Sequence, residues 1–416
     1  MEYGAPANML GGAPYSIGAI NLSPEPRMRK TADVVVIGGG IIGASILYHL
    51  AELGVKRAVL VEKSALASGS TGDSAAIVRQ HYSNEVSVRL VRRSVEIFQT
   101  FEERFGHKVF SNTGWLFLTP PEAESAFHDN LPRLKALGVR TWEVPVEEAR
   151  KMLPGLNPEG IAHVAYEPDS GYADPHATVL GFVDKAHAMG AEVYVNTPAT
   201  GLKMSGQKVT GVVTNKGEIA AGAVVNAAGP WAKQVGAWAG LDLPLEISRE
   251  QEILVQPAPG TPLMGMAVSN MVDRFYMRPQ KGGTILVGVG HPKENEPADP
   301  DTYTKKATPG FIEDAAGRLS HRLPHMATAT VKSGWAGLYT ITPDWNMIVD
   351  RAPGVDGLYL AVGGSGHSFK LGPAIGQCLA ETIVHGKAKT VDITALRATR
   401  FAEKAALRST YGGNRG

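Results

Sequence analysis

The sequence predicts a mixed α/β fold, in which a parallel sheet is assembled from separated stretches of chain and an antiparallel sheet is inserted into it. Three observations carry this. A strand, glycine turn, helix and strand open the fold between Val34 and Glu62. Glycine-rich strand ends return at Asn226 and again at Gly363. Between these returns, residues 246–292 alternate apolar and polar side chains, as antiparallel strands do, instead of running continuously apolar.

The opening unit is the most informative. Val34-Val-Val-Ile37 is apolar and β-branched, as a buried parallel strand requires. Gly38, Gly40 and Gly43 follow as G-x-G-x-x-G. The first permits a tight turn, the second lets a pyrophosphate approach the backbone, and the third lets the helix pack close to the strand. Ile42, Ile46 and Leu50 keep helical spacing, with Ile41 and Ile42 in the first turn, and Gly54 stops the helix. Ala58–Val61 is the second strand, and Glu62 at its end stands 19 residues after Gly43, where an acid accepts a ribose hydroxyl. This Rossmann-like unit reads as an adenine-dinucleotide site, against the alternative of a glycine turn with no ligand. By itself it does not separate FAD from NAD.

Residues 63–79 are small and polar, suited to lying along a cofactor. Helical spacing covers 87–105, a strand 114–118, a helix 122–137 with a kink or break at Pro132, and a short helix 147–152. After a turn-rich loop at 166–175 come a helix at 176–189, a strand at 192–196, a hairpin at 200–214, and a helix turn leading into a buried strand over 219–228. Strands are expected at 251–256, 275–278 and 284–288, a solvated loop at 293–310, a helix at 311–319 and a strand region at 328–339. The chain closes with strand-turn-strand at 347–360, the turn Gly363–Gly366, a helix from about Gly372 to His385, and a helical tail. The dinucleotide domain is therefore expected in three pieces (31–113, 166–245 and 340–405), interrupted by a substrate domain (114–165 and 246–339). An extended arm (1–30) and a tail (406–416) flank them. A discontinuous nucleotide domain favours FAD over NAD.

Lys plus Arg is 41 and Asp plus Glu 40, so the net charge of +1 offers nothing to nucleic acid or an anionic membrane. Cys378 is the only cysteine, which excludes an internal disulfide and a cysteine-cluster metal site and fits a reducing, cytoplasmic location. No apolar run reaches the roughly 18 residues of a membrane span. Residues 1–30 place their basic residues after the apolar ones, so they read as an arm, with partner binding as one use, and not as a secretory signal.

Four motifs in order resemble the D-amino-acid-oxidase-like FAD superfamily. They are the opening fingerprint, Gly69-Ser-Thr-Gly-Asp-Ser-Ala-Ala-Ile-Val-Arg79, Asn226-Ala-Ala-Gly-Pro-Trp231 and Gly364-Ser-Gly-His-Ser-Phe-Lys-Leu-Gly-Pro373. The resemblance spans about 31–405 and is strongest to the branch of sarcosine oxidases and related N-methyl amino acid oxidoreductases. It implies oxidation of an amino acid C–N bond by hydride transfer to flavin, then imine hydrolysis, with a small amine as substrate. Oxygen or another electron acceptor would reoxidise the flavin. The chain would work as a monomer, a homo-oligomer or a subunit of a larger assembly. Primary or cyclic amino acids (glycine, D-amino acids, proline) are the alternative substrates, and a flavin-binding module serving a partner is the alternative role.

The resemblance also implies residue roles. Gly38, Gly40, Ile41, Ile42 and Gly43 hold the pyrophosphate, Glu62 and Lys63 the adenosine side, and Ser70 and Thr71 the flavin path. Val195 turns backbone towards adenine, and Ala228, Gly229 and Trp231 return near the pyrophosphate. Gly364, Gly366, His367 and Lys370 meet the flavin ring, with the closing helix aimed at it. Arg79 and Lys370 take the substrate carboxylate. Tyr276 and Arg278, two apart on a strand and so on one face, supply an aromatic wall and a further anchor. His291, His367 and Tyr339 are polar groups facing the substrate. Gly337 and Ser74 stand where relatives attach flavin covalently, so FAD is expected to be non-covalent. Val287 is expected where oxidases carry an oxygen-activating lysine.

Overall fold

The computed structural model describes residues 28–411. The expected arm lies outside the described residues except for its last three positions, and so does the end of the tail, 412–416.

The first sheet has eight strands, centred on parallel Thr31–Ile37. On one side lie Ala58–Val61 and then Glu192–Tyr194; on the other lies Gly217–Asn226. Val34 and Val36 face one apolar core, Val35 and Ile37 the other. With both faces covered, no position in this run tolerates a polar residue. Gly217–Asn226 is one uninterrupted strand, not a helix turn followed by a strand, because it pairs with the first strand from Thr31↔Ala220 to Ile37↔Asn226. Its free edge is shared. The early half takes the hairpin 199–214, and the later half takes Leu358–Val362 in parallel. Ile348–Arg351 then adds beside Leu358–Val362.

Helix Ile41–Glu52 is almost wholly buried, because the closing helix Ser368–His385 packs onto it. Ser45 Oγ donates to Pro373 O at 2.9 Å, and a Cβ on Gly376 would lie 2.1 Å from Ser45 Oγ. The closing helix starts at Ser368, four residues before Gly372, directly after Ser365 and Gly366 turn the chain at positive φ. That puts Lys370 in the first turn of the helix.

The second sheet also has eight strands, in the order 330–341, 246–256, 285–289, 275–279, 267–270, 115–119, 163–167 and 142–143. It is antiparallel as expected, except at one seam. Trp115–Thr119 runs parallel to Ala267–Asn270, where the two insertions meet and no hairpin dictates direction. A short third sheet joins Ile77–Val78, Gly171–Ala173 and Phe110–Ser111. Among the described residues, no helix is long and apolar enough to cross a membrane.

Candidate active site

One cavity of about 800 Å³ runs from the carboxyl ends of the parallel strands to the face of the second sheet. This is where ligands bind in open α/β sheets. At its nucleotide end the wall is main chain. Gly38 has φ of 114°, and a Cβ there would sit 2.3 Å from Ala227 O. A Cβ on Gly43 would sit 1.9 Å from Gly38 O, so Gly43 does not line the cavity but shapes the turn that does. Glu62 accepts from Gly39 N at 2.6 Å and Ser64 N at 2.8 Å, which pins its carboxylate at the strand end. Thr71 Oγ1 accepts from Ile41 N at 3.1 Å. Lys63 Nζ pairs with Asp301 at 2.8 Å and lies 3.9 Å from the Trp231 ring centroid. Trp231 Nε1 also donates to Asp301. The stretch expected to be a solvated loop thus folds over the cavity, with Pro300, Asp301, Tyr303 and Lys305 in its wall.

Ala228, Gly229, Gly364 and Gly366 also line the cavity. Val195 does not; it follows strand Glu192–Tyr194, and its carbonyl accepts from Thr197 Oγ1 at 2.8 Å.

Three features fit an adenine dinucleotide carrying a flavin. Ser70 Oγ is buried without a hydrogen-bond partner. The helix starting at Ile41 has no side-chain cap and no acid in its first turn, as an anion-binding N-terminus requires. The closing helix has the same open N-terminus, at His367. Its dipole suits the negative charge that reduced flavin gathers.

At the other end the wall is made of side chains. Lys370 is buried, its Nζ 3.5 Å from Gly366 O. Burial, then the charge of Arg79, holds its ammonium pKa well below the ordinary range. Arg79 donates to His81 O and stacks 4.6 Å from the Tyr82 ring centroid. Among the described residues, neither cation has an ion-pair partner. His367 Nδ1 lies 3.1 Å from the Tyr82 hydroxyl. Burial, then Lys370, Arg79 and His291, pushes its pKa far down, so the ring is neutral.

The inserted sheet supplies the remaining wall. The Tyr276 hydroxyl donates to Glu252 Oε1 at 2.8 Å, and its ring lies over Gly288, where a Cβ would come within 2.3 Å. Tyr339 packs on Gly366, where a Cβ would approach to 2.4 Å, so the two walls meet at that glycine. His291 Nε2 is 3.3 Å from Glu250 Oε1, and Lys293 Nζ is 2.7 Å from Glu250 Oε2. Burial works to raise the Glu250 pKa, but His291 and Lys293 bring it below the usual carboxylate value. Burial pushes Glu252 up to about 7 and Asp73 up to about 6.

The structure brings Arg79, Tyr276, His291, Tyr339, His367 and Lys370 to this one cavity, but not Arg278. The Arg278 guanidinium donates to Ala75 O, Pro279 O and Gln280, and stacks 4.5 Å from the Tyr172 ring centroid, so it stands behind the wall. Val287 does not face the site either. Strand alternation turns it into the core beneath the sheet, and Gly288 takes the cavity side. Asp73 packs against Gly337, where a Cβ would lie 2.8 Å from its own Cβ, and Ser74 Oγ donates to Thr71 O. Cys378 is buried away from the cavity. Sequence reasoning missed Glu250, Glu252 and Asp73. The signal available was the i, i+2 spacing of the two glutamates on a strand, which places them on one face.

Comparison with known proteins agrees with this geometry. The model of the family described as DAO, FAD dependent oxidoreductase, matches residues 33–382. Mitochondrial sarcosine dehydrogenase of Homo sapiens is 31% identical over 383 residues, covering 88% of this chain and 41% of its own. Sarcosine oxidase subunit beta of Rhodobacter capsulatus is 26% identical over 371 residues, covering 88% of this chain and 87% of its own. The crystal structure of L-proline dehydrogenase from P. horikoshii superposes with a TM-score of 0.85 at 31% identity, covering 92% of this chain and 100% of that one. The chain spans less than half the length of the sarcosine and dimethylglycine dehydrogenases it matches. A fingerprint, a returning strand and a closing helix built around one cavity, with a family match over most of the chain, make this protein a member of the DAO family of FAD-dependent oxidoreductases.

Proposed function

We propose that this chain oxidises the C–N bond of a small secondary or tertiary amino acid of the sarcosine type, with hydrolysis of the resulting imine. One observation carries the reading. The cavity that meets the closing helix holds two cations without acid partners, Arg79 and Lys370, and an adjoining wall of buried acids and phenols. A zwitterion has the complementary charges. Bound FAD supplies the hydride acceptor.

Arg79 offers a carboxylate its planar fork. Burial and Arg79 lower the Lys370 pKa, and a bound carboxylate that neutralises the field of Arg79 favours its protonated form. Tyr339 and Tyr276 confine the substrate's apolar part, and neutral His367 adds a polar edge without a third positive charge. Gly337, Ser74 and Cys378 offer no histidine or accessible thiol for a flavin link, so FAD is held non-covalently. Flavin released into the supernatant on acid precipitation supports this; flavin in the pellet overturns it.

A second reading, L-proline as substrate, is favoured by the match along the whole of the P. horikoshii dehydrogenase. Proline is also a secondary amine. The relative named as a beta subunit supports a further proposal, that the chain works within a heteromeric assembly. The test is anaerobic mixing of the yellow protein with sarcosine, N,N-dimethylglycine, L-proline, glycine and D-alanine while following flavin bleaching. Bleaching by the N-methyl compounds is expected. Bleaching by proline alone selects the second reading, and bleaching by glycine or D-alanine alone overturns both. Admitting oxygen afterwards separates an oxidase from a dehydrogenase.

A further inference from the structure

We propose that Tyr276 and Glu252 act together as the proton acceptor for the substrate's ammonium group. Tyr276 touches the nitrogen, and Glu252 is the positioning residue behind it that keeps the proton. The proposal rests on the reading that the substrate is an amino acid.

An amine bound as a cation has no lone pair to drive hydride from the neighbouring carbon, so the site must remove a proton. The Tyr276 hydroxyl donates its single proton to Glu252 Oε1 at 2.8 Å. Its oxygen is left with lone pairs only, which the Tyr339 hydroxyl also approaches, and in the cavity wall it is an acceptor for an N–H. Gly288 beneath the ring keeps it there, since any side chain at that position would displace it.

Glu252, like Asp73 beside it, is an acid of the site without an ion-pair partner among the described residues, and it is the one that Tyr276 touches. It is 6% exposed, and its Oε2 is buried with no hydrogen-bond partner. Among the described residues no Lys, Arg or His pairs with it, whereas Glu250 on the same strand face has both Lys293 and His291. The groups around it are few. Tyr276 and Arg278 face it from strand Phe275–Pro279, and Asp73 and the Ala75 N–H from the segment after the second parallel strand. Tyr339 and Glu250 act on the same tyrosine. Arg278 spends its hydrogen bonds on Ala75 O, Pro279 O and Gln280, so it lends charge without taking the carboxylate. Burial sets the carboxyl near neutrality, at about 7, where an acceptor works best.

The step balances as a proton shift alone. The substrate N–H⁺ bond breaks, and its proton joins the Tyr276 oxygen as the tyrosine's own proton passes to Glu252. The amine and the carboxylic acid are both neutral afterwards, the tyrosine is unchanged, and no electrons move.

The test uses the holoenzyme and whichever amino acid in the panel bleaches the flavin, with the rate of anaerobic bleaching followed from pH 6 to 10. For the unaltered protein the rate should fall towards acid below about pH 7. In Glu252→Gln and Tyr276→Phe that limb should move towards the range of a free amine, roughly pH 10. The rate at pH 7 then drops at least about 100-fold and largely recovers at high pH. Glu252→Asp keeps a carboxyl and should retain most of the original profile, which guards against a folding defect in the glutamine variant. Flavin content is measured for each. An unmoved limb, or a loss equal at every pH, overturns the proposal while the substrate reading stands. If no amino acid bleaches the flavin, the substrate reading fails and takes this role with it.

Discussion

The glycine turn and the inserted-sheet wall bound the same cavity but are built differently. From Gly38 to Gly43 the surface is main chain, shaped because Cβ atoms are missing and pinned by Glu62 and Thr71. At the other end the surface is side chain, and Glu252, Tyr276, His291 and Tyr339 come from three strands and a loop. The first region depends on space and hydrogen-bond direction within one short stretch. The second depends on strand register, since a one-residue slip would turn every one of these strand groups into the core beneath the sheet. The glycine turn therefore tolerates no added atoms at Gly38 or Gly43, while the substrate end is most sensitive to changes in charge and, at Gly288 and Gly366, to added bulk.

Adding one carbon to the turn is the severest challenge to that contrast. Gly43→Ala places a Cβ 1.9 Å from a carbonyl oxygen that cannot move without opening the turn. Flavin retained per protein, read from the visible to ultraviolet absorbance ratio, should fall by at least about tenfold. Retention near the normal level would show that the turn yields. At the side-chain end, Arg79→Ala should leave flavin content intact and weaken an amino acid or a simple carboxylate inhibitor by roughly 100-fold, by loss of a bidentate charged contact. Flavin absorbance changes on titration measure it, and unchanged affinity would remove Arg79 from the substrate site.

Lys370 tests the charge half of the comparison through pH. Because burial and Arg79 lower its pKa, the empty site holds it largely neutral at high pH, and binding an anion draws a proton in. Carboxylate affinity should fall as pH rises through the Lys370 pKa of the empty site. Calorimetry in buffers of different ionisation enthalpy should show proton uptake approaching about one per ligand. Lys370→Met should abolish the uptake. The sign for stability is opposite to that of a paired lysine. The unfolded chain binds the proton more tightly, so this group's cost to folding is present below its folded pKa and is relieved as pH rises from there towards the ordinary lysine value.

The smallest effect on chemistry should come from Val287→Ala. Its side chain lies in the core under the second sheet, so it should cost roughly 2 kcal/mol of stability and leave the bleaching rate within about twofold. A large change in oxygen reactivity would instead place position 287 at the flavin.

Much of the nucleotide end was legible because its signals are local. The three opening glycines, the apolar strand and the acid after the second strand stand within one stretch, and each reports a backbone requirement. Trp231, Gly364 and Lys370 were reached only through motif resemblance, and the structure lines the cavity with them. Arg278 was expected in the site because strand alternation puts it on the face of Tyr276. Alternation gives the face but not the reach, and its guanidinium is tied down by Ala75 and Gln280 behind the wall. Val287 was expected near the flavin, but strand alternation turns its side chain into the core beneath the sheet. Glu250 and Glu252 were not singled out in the sequence, because their burial depends on His291 and Lys293 beside the first and on Asp73 and Ala75 beside the second.

The sequence by itself determined the α/β class and an adenine-dinucleotide turn, while FAD as the cofactor came from motif resemblance. The first two follow from periodicity and from glycines whose missing side chains are a local property. Only the tertiary structure decided which charges share the cavity, which cations lack partners, and that one buried glutamate stands behind a tyrosine with an oxygen unused. Those are properties of distance between residues as many as 328 positions apart, set by sheet register and by the closing helix docking on the first, and no local pattern encodes them.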